Sequence, residues 1–442
     1  FYIFLDLGIT NFNNRNIAQN NQLLSKHLAG IGTMKLLLGI FYAIIIFSAG
    51  VAWGYRGREL YLLAWVGGNQ FLLSLILYVR SNLSGLLLFK TDSFLSVLDR
   101  LIMILICGFL LWFNFFEGLF TIEWFVYAQT GAYTITLLIA VVAVINKSGK
   151  LKLNWNLPFV ILIAKKSLPF ALLVLLMSFY NRIDPVLLKK LLPSPLGEEQ
   201  AGVYAQAFRL LDAGQNFALL FAVLLLPLFS KMLNQKESIV KLVKLSASII
   251  ISGSIVIAIS SLFFAEEIMN LMYTINNGET EAHFVLRIEQ SAKIYRLLMF
   301  SFVAISANYI FGTLLTANNN LMQLNLIAGG GLLINLSLNL ILIPYLQSVG
   351  SAYASLTTQG VTATLQLYMV YRIFKLRINY RLILNFIILI VTLLSLGYML
   401  VEFSTLKWEL SLITMLVFGL ILSVILKLVH VREFIAIIKD EK

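Results

Sequence analysis

The chain has 442 residues, 60% of them hydrophobic and 12% charged, with a mean hydropathy of +0.88; a soluble domain carries about 25% charged residues, so a water-soluble body is excluded. One cysteine, Cys107, excludes a disulfide framework, and His27, His283 and His430 are too scattered for zinc or iron ligand spacing, so neither a metal nor another cofactor is expected. The net charge of +12 sits at the ends of apolar runs without the aromatic interleaving of a nucleic-acid face, so membrane topology accounts for it and no nucleic-acid partner is expected.

From the N-terminal end, the apolar stretch before Arg15 is too short for a full span and reads as the remainder of a truncated one. Twelve stretches of about 20 apolar residues come after it, each long enough to cross a hydrocarbon core of about 30 Å. Six run near residues 31 to 53, 60 to 79, 95 to 115, 122 to 145, 167 to 188 and 201 to 228. The others run near 245 to 265, 295 to 316, 322 to 343, 350 to 371, 383 to 402 and 409 to 427. The expected fold class is therefore all-α and polytopic, with no room for a soluble domain.

Basic residues orient these spans. If the joint after the first partial span is cytoplasmic, alternate joints carry 21 of the 33 Lys and Arg residues, among them Arg15, Lys26, Lys147, Lys241, Lys244, Arg381 and Lys427. The opposite joints carry eight: Arg56, Arg58, Lys189, Lys190, Arg287, Lys293, Arg296 and Lys407. Positive-inside asymmetry then places the C-terminus in the cytoplasm. The longest inner joint, residues 146 to 166, reads as a cytoplasmic linker between an incomplete N-terminal bundle, residues 1 to 145, and the eight later spans.

Eight charged residues fall inside the spans: Asp6, Lys35, Asp99, Arg100, Arg182, Asp184, Arg209 and Asp212. An intramembrane charge costs at least about 2.5 kcal/mol on insertion scales and so marks a cavity or a partner. Lys35 and Arg100 lie close to cytoplasmic span ends and are expected to snorkel to water. Arg182 lies 15 residues beyond Ser167, about 22 Å along a helix, and reaches the same outer level as Arg209. Arg209 and Asp212 are three apart and share a helix face, so they can pair. Pro185 removes a backbone donor beside Arg182 and Asp184 and is expected to bend the helix there. Asp6 lies near mid-membrane, where an acid can bind a proton or a sodium ion. Asn335 and Asn339, at i and i+4, offer donors and acceptors of the kind that sugar hydroxyls or neighbouring helices take up.

Several segments together resemble the O-antigen (Wzx-type) flippases of the multidrug/oligosaccharidyl-lipid/polysaccharide (MOP) superfamily. They are LDLGITNFNNRNIA (5 to 18), YNRIDPVLL (180 to 188), AGVYAQAFRLLDA (201 to 213), FFAEEIMNLMY (263 to 273) and LINLSLNLILIPYLQSVGSAYAS (333 to 355). The resemblance implies two pseudo-symmetric, MATE-like bundles with a wet crevice between them, the second at residues 167 to 375, followed by an extra helix pair and cytoplasmic tail at 376 to 442. It implies a flippase of the bacterial cytoplasmic (inner) membrane that moves a polyprenyl-diphosphate-linked oligosaccharide outward for lipopolysaccharide or other surface polysaccharide. Its partners would be that lipid-linked oligosaccharide, membrane lipid, H+ or Na+, and other polysaccharide-assembly membrane proteins. On this reading Arg182, Arg209, Asn335 and Asn339 bind substrate, and Asp6, Asp184 and Asp212 form the ion-coupling or charge network. The chain would then not be an enzyme. Two alternatives remain open, a drug/cation antiporter of the same superfamily and a membrane glycosyltransferase or polymerase of the same pathway.

Overall fold

In hydrocarbon every backbone N–H and C=O must find its partner within the protein, and a helix satisfies them within one segment. The computed structural model describes residues 3–112, 121–148, 157–275, 278–376, 379–430 and 433, and every regular element among them is helical. The first helices are α1 (Ile3–Asp6), α2 (Ile9–Gln19), α3 (Leu24–Ala52), α4 (Arg58–Gly85), α5 (Phe89–Trp112) and α6 (Ile122–Ser148). Then come α7 (Leu157–Arg182), α8 (Asp184–Leu191), α9 (Leu196–Asn234) and α10 (Val240–Met272). The last are α11 (Glu281–Ala317), α12 (Leu321–Phe374), α13 (Tyr380–Glu402) and α14 (Trp408–Ile425). Among the described residues, 11 helices are long and apolar enough to cross a membrane.

The twelve expected spans fit into these helices because α12 contains two of them. Its 54 residues would extend about 81 Å if straight, far beyond a core of about 30 Å. Pro344 interrupts the backbone ladder, and Gln347 leaves the helical region at φ 52°, ψ −133°. Ser351 Oγ then donates to Asn339 Oδ1 at 2.8 Å, a pair that a straight helix would hold about 18 Å apart. The chain therefore doubles back, and its two arms are the spans read at 322 to 343 and 350 to 371.

The chain packs as two compact units, Phe1–Leu175 with Leu226–Asn234, and Leu176–Leu225 with Gln235–Lys442. The division falls within α7 and α9 rather than at the joint read at residues 146 to 166, of which residues 149–156 lie outside the described set. Most of the tail beyond His430 also lies outside it.

In the first unit the opening span is discontinuous. Leu7 and Gly8 have φ 44° and 72°, which separates α1 from α2. A Cβ at Gly8 would stand 2.4 Å from Ala171 N and 2.7 Å from Ser167 O, so the break rests directly on the α7 backbone. Further along α2, Asn13 donates to Ser81 Oγ at 2.9 Å and Asn82 Oδ1 at 3.0 Å, tying α2 to α4. Asn69 Nδ2 donates to Gln129 Oε1 at 3.0 Å and joins α4 to α6. Between lipid-embedded helices, where apolar contact supplies little net drive, such bonds and close packing fix the arrangement.

The second unit is organised around α10 and α11, whose most apolar windows are 61% and 56% buried, whereas that of α13 is 17% buried and so peripheral. Ile255, Val256, Ile259 and Phe264 of α10 pack with Leu389 and Leu393 of α13 and Met415 of α14. The extra helix pair thus leans on α10. Its outer faces keep Ile387, Val391, Leu420 and Ile421 exposed, as lipid contact requires.

Both the helix break and the orientation can be tested. Gly8→Ala places a Cβ in a left-handed conformation against backbone atoms that cannot yield; thermal unfolding in detergent should show a loss of at least about 2 kcal/mol. In a Cys107→Ser background, a membrane-impermeant maleimide applied to intact cells should label His283→Cys, just inside α11, and leave Glu237→Cys, before α10, unlabelled. The reverse pattern would invert the topology.

Candidate functional site

The charged residues read inside the spans sort into three environments, set by how the helices break. In the second unit α7 ends at Arg182 and α8 starts at Asp184, with Pro185 at the start of α8. Pro185 has no N–H to continue the ladder, and the helix is interrupted at Ile183, between the two charges. Arg182 and Asp184 then point to different surroundings.

Asp184 is 1% exposed. Its Oδ2 accepts from Tyr204 Oη at 2.6 Å and its Oδ1 from Asn339 Nδ2 at 2.9 Å. Asn339 Nδ2 also approaches Asn335 Oδ1 at 3.1 Å, and Ser351 closes the set through Asn339. The amide nitrogen of Asn335 is buried without a hydrogen bond of good geometry. Tyr204 and Asn339 donate only neutral hydrogen bonds, and among the described residues no cation pairs with this carboxylate. A carboxylate so enclosed is costly in ionised form unless it holds a proton or a cation.

Arg182 has a more open position. Its Nη2 lies 2.6 Å from Asp212 Oδ1, with side chains 62% and 34% exposed, and its guanidinium lies 5.3 Å from the centroid of the Phe208 ring. The Arg209–Asp212 pair that the spacing permits is not formed; Asp212 meets Arg182 instead. Tyr204, Phe208 and Asp212 succeed one another at i, i+4 and i+8 down a single stripe of α9, and that stripe meets Arg182 and Asp184; Arg209, one position on from Phe208, is exposed. The stripe links the two environments, because Phe208 stacks on Tyr204 with ring centroids 5.8 Å apart.

The first unit holds the third environment. Lys35, expected to snorkel, is instead fully buried. Its Nζ donates to Asp6 Oδ1, Ser74 Oγ and Leu5 O, each at 2.9 Å. Leu5 O is available because the helix breaks two residues later, and it also accepts from Ser74 Oγ at 3.1 Å. Thr10 Oγ1 donates to Asp6 Oδ1 as well. Asp6 is therefore neutralised inside the chain. Arg100 is 67% exposed and lies 3.7 Å from Asp99.

Asn335 and Asn339 lie on the second unit's interior rather than on an accessible wall, both at 0% exposure. The polar residues elsewhere in that unit show the same inward use: Asn308 Nδ2 donates to Gln359 Oε1 at 3.1 Å, and Gln359 Nε2 to Asn181 Oδ1 at 2.6 Å, beside Arg182. Tyr204 and Phe208 carry no charge and so escape a search for intramembrane ions. Their signal in the sequence is the i, i+4 spacing that ends on Asp212.

A family model described as polysaccharide biosynthesis protein matches residues 1–233. In structure, the chain is similar to an outward-facing multidrug resistance MATE family transporter of the MOP superfamily, with TM-score 0.66 and 16% identity over 86% of this chain and 85% of that one. It is similar to a MOP superfamily transporter from Pyrococcus furiosus described as having a binding pocket of reverse polarity, with TM-score 0.64 and 16% identity over 83% of each chain. It is also similar to the lipid II flippase MurJ in an inward closed conformation, with TM-score 0.58 and 13% identity over 96% of this chain and 92% of that one. At these identities the likeness is one of fold. A comparison with curated proteins finds no match.

The enclosed pair in the first unit makes a stability prediction. Lys35→Met leaves Asp6 partly buried without its cation and should destabilise the protein by on the order of 3 kcal/mol, whereas Lys35→Met with Asp6→Asn should recover much of that loss. Thermal unfolding of the two single variants and the double variant closes the cycle. Additive losses would show that Lys35 and Asp6 do not interact.

Proposed function

The chain belongs to the polysaccharide biosynthesis protein family, and from that premise we propose that it is a flippase for a polyprenyl-diphosphate-linked oligosaccharide. The observation that carries this reading is the Arg182–Asp212 pair. It is exposed although it lies in a membrane-spanning region, and a charged pair facing acyl chains would be strongly disfavoured, so the exposed side must be wet. One Nη contact to one carboxylate oxygen leaves most of the guanidinium fork unused. A pyrophosphate offers oxygens that match this fork bidentately, and the exposed Arg209 supplies a second cation on the same helix as Asp212.

Exchange of Asp212 for substrate is energetically reasonable. Exposed ion pairs contribute about 0 to 1 kcal/mol, whereas hydrogen bonds to charged groups contribute about 1.5 to 3 kcal/mol each. Asp212 then serves to hold the guanidinium in place between cycles. Asp184 is proposed as the coupling group, binding H+ or Na+, with Asn335 and Asn339 positioning its carboxylate rather than touching sugar. Its occupancy would be sensed at Arg182 through Tyr204 and Phe208. No GxxxxGK[ST] motif occurs in the sequence, so the drive is an ion gradient or the membrane potential. With the cell interior negative, outward movement of each net negative charge gains about 2.3 kcal/mol per 100 mV.

Transport of a fluorescent lipid-linked oligosaccharide in proteoliposomes tests the assignment. Arg182→Ala should lower the rate at least about tenfold, Arg182→Lys should fall between it and wild type because the charge remains without the fork, and Arg209→Ala should weaken substrate binding. Normal transport by folded Arg182→Ala and Arg209→Ala would remove both from the substrate site. Steady turnover of a nucleotide sugar by the purified protein would instead point to an enzyme.

A further inference from the structure

The second unit contains a recess that the transport reading leaves unused. The starts of α10 and α13 and the end of α14 line an open recess of about 340 Å³ at the end that the distribution of basic residues assigns to the cytoplasm. That volume is far above the roughly 10–15 Å³ that one water needs on the same measure, so a phosphate with its ester substituents fits. Lys241, Lys244, Arg381 and Lys427 line it together with one acid, Glu433. Lys241 lies 3.2 Å from that carboxylate. Among the described residues, Lys244, Arg381 and Lys427 have no carboxylate partner.

This cluster opposes the backbone rather than complementing it. A helix N-terminus presents unpaired N–H groups and a partial positive charge, which favours acids and disfavours bases. Lys241 and Lys244 nonetheless occupy the first turns of α10, and Arg381 the first turn of α13. The α10 start has no side-chain cap. Lys427 takes φ 53°, a left-handed conformation that glycine adopts with less strain. Ser248, which also lines the recess, is 4% exposed. Uncompensated cations and a serine hydroxyl line one volume, at a helix start without a side-chain cap, and an anion with several acceptor oxygens suits all of them.

Adjacent surfaces identify the source of that anion. Ile383, Leu384 and Ile387 on α13 and Ile421, Val424 and Ile425 on α14 are each at least 48% exposed and lead away from the recess along the membrane-spanning part of the pair. A free phosphate would leave those surfaces irrelevant, whereas a lipid would use them for its acyl chains. We propose that the recess is a site for the phosphate headgroup of an anionic membrane lipid of the phosphatidylglycerol type, and that this lipid fastens the α13–α14 pair to α10. Basic recesses between membrane helices on the cytoplasmic side suit such headgroups.

The test uses the full chain in neutral detergent, with unfolding temperature as the readout. Short-chain phosphatidylglycerol should raise it in a saturable way, and phosphatidylcholine should not. The variant Lys244→Gln, Arg381→Gln, Lys427→Gln should need a roughly hundredfold higher phosphatidylglycerol concentration for the same rise, given the contribution expected of each basic residue. Lys427→Gly, which relieves the backbone strain, should weaken the response without lowering the unfolding temperature measured in the absence of lipid. Lys189→Gln with Lys190→Gln, at the opposite end of the unit, should respond like wild type. An unaltered response in the triple variant overturns the site, and an equal rise with inorganic phosphate overturns the lipid as its occupant.

Discussion

A charge inside a low-dielectric, water-poor region must be matched by a partner, by a bound ion or by access to water, and this requirement orders the whole molecule. The chain meets it in three ways. Lys35 and Asp6 neutralise each other in an enclosed site built from a carboxylate, a hydroxyl and a backbone carbonyl. Asp184 is enclosed but surrounded by neutral donors. Arg182 and Asp212 form a pair with one side open. The proposed roles follow this gradation: the closed neutral pair stabilises, the buried unbalanced acid is the proposed ion-coupling group, and the open pair is the proposed substrate site.

Each of these sites lies beside an interrupted helix. The Leu7–Gly8 break frees Leu5 O for Lys35 and Ser74. Arg182 and Asp184, two residues apart and so on different sides of the helix, flank the α7–α8 interruption. The reversal at Gln347 returns Ser351 to Asn339 and so completes the set around Asp184. Broken helices within a membrane survive where the freed groups are taken up by polar side chains, and the same breaks bring those side chains together. Fold and site are thus consequences of one device.

Features set along the chain were legible in the sequence. The apolar runs located the spans, Pro185 located a break, and insertion cost singled out Asp184, Arg182 and Asp212. Features that depend on the rotation of one helix against another were not. Lys35 sits at a sequence position suited to snorkelling, and only the packing of α3 against α1 and α4 turns its ammonium inward. The Arg209–Asp212 spacing permits a local pair, but α7 presents a second arginine to the same carboxylate, and the stripe through Tyr204 and Phe208 decides which one it meets. Asn335 and Asn339 carry the i, i+4 spacing of a polar face, and spacing alone does not tell an interior face from a cavity wall.

That stripe also gives the two charged environments of the second unit a physical connection. Tyr204 donates to Asp184, its ring stacks on Phe208, and the Phe208 ring lies near the guanidinium of Arg182. A proton or cation at Asp184 weakens the hold of the carboxylate on the Tyr204 hydroxyl, because the negative charge that strengthens this bond is then neutralised. One packed ring, that of Phe208, separates Tyr204 from the guanidinium of Arg182. The proposed cycle needs substrate affinity at Arg182 to depend on ion occupancy at Asp184, and by reciprocity substrate binding must alter ion affinity to the same degree. The short path through α9 is where such a dependence would be carried, since Tyr204, Phe208 and Asp212 move with one helix while Arg182 and Asp184 flank one backbone interruption.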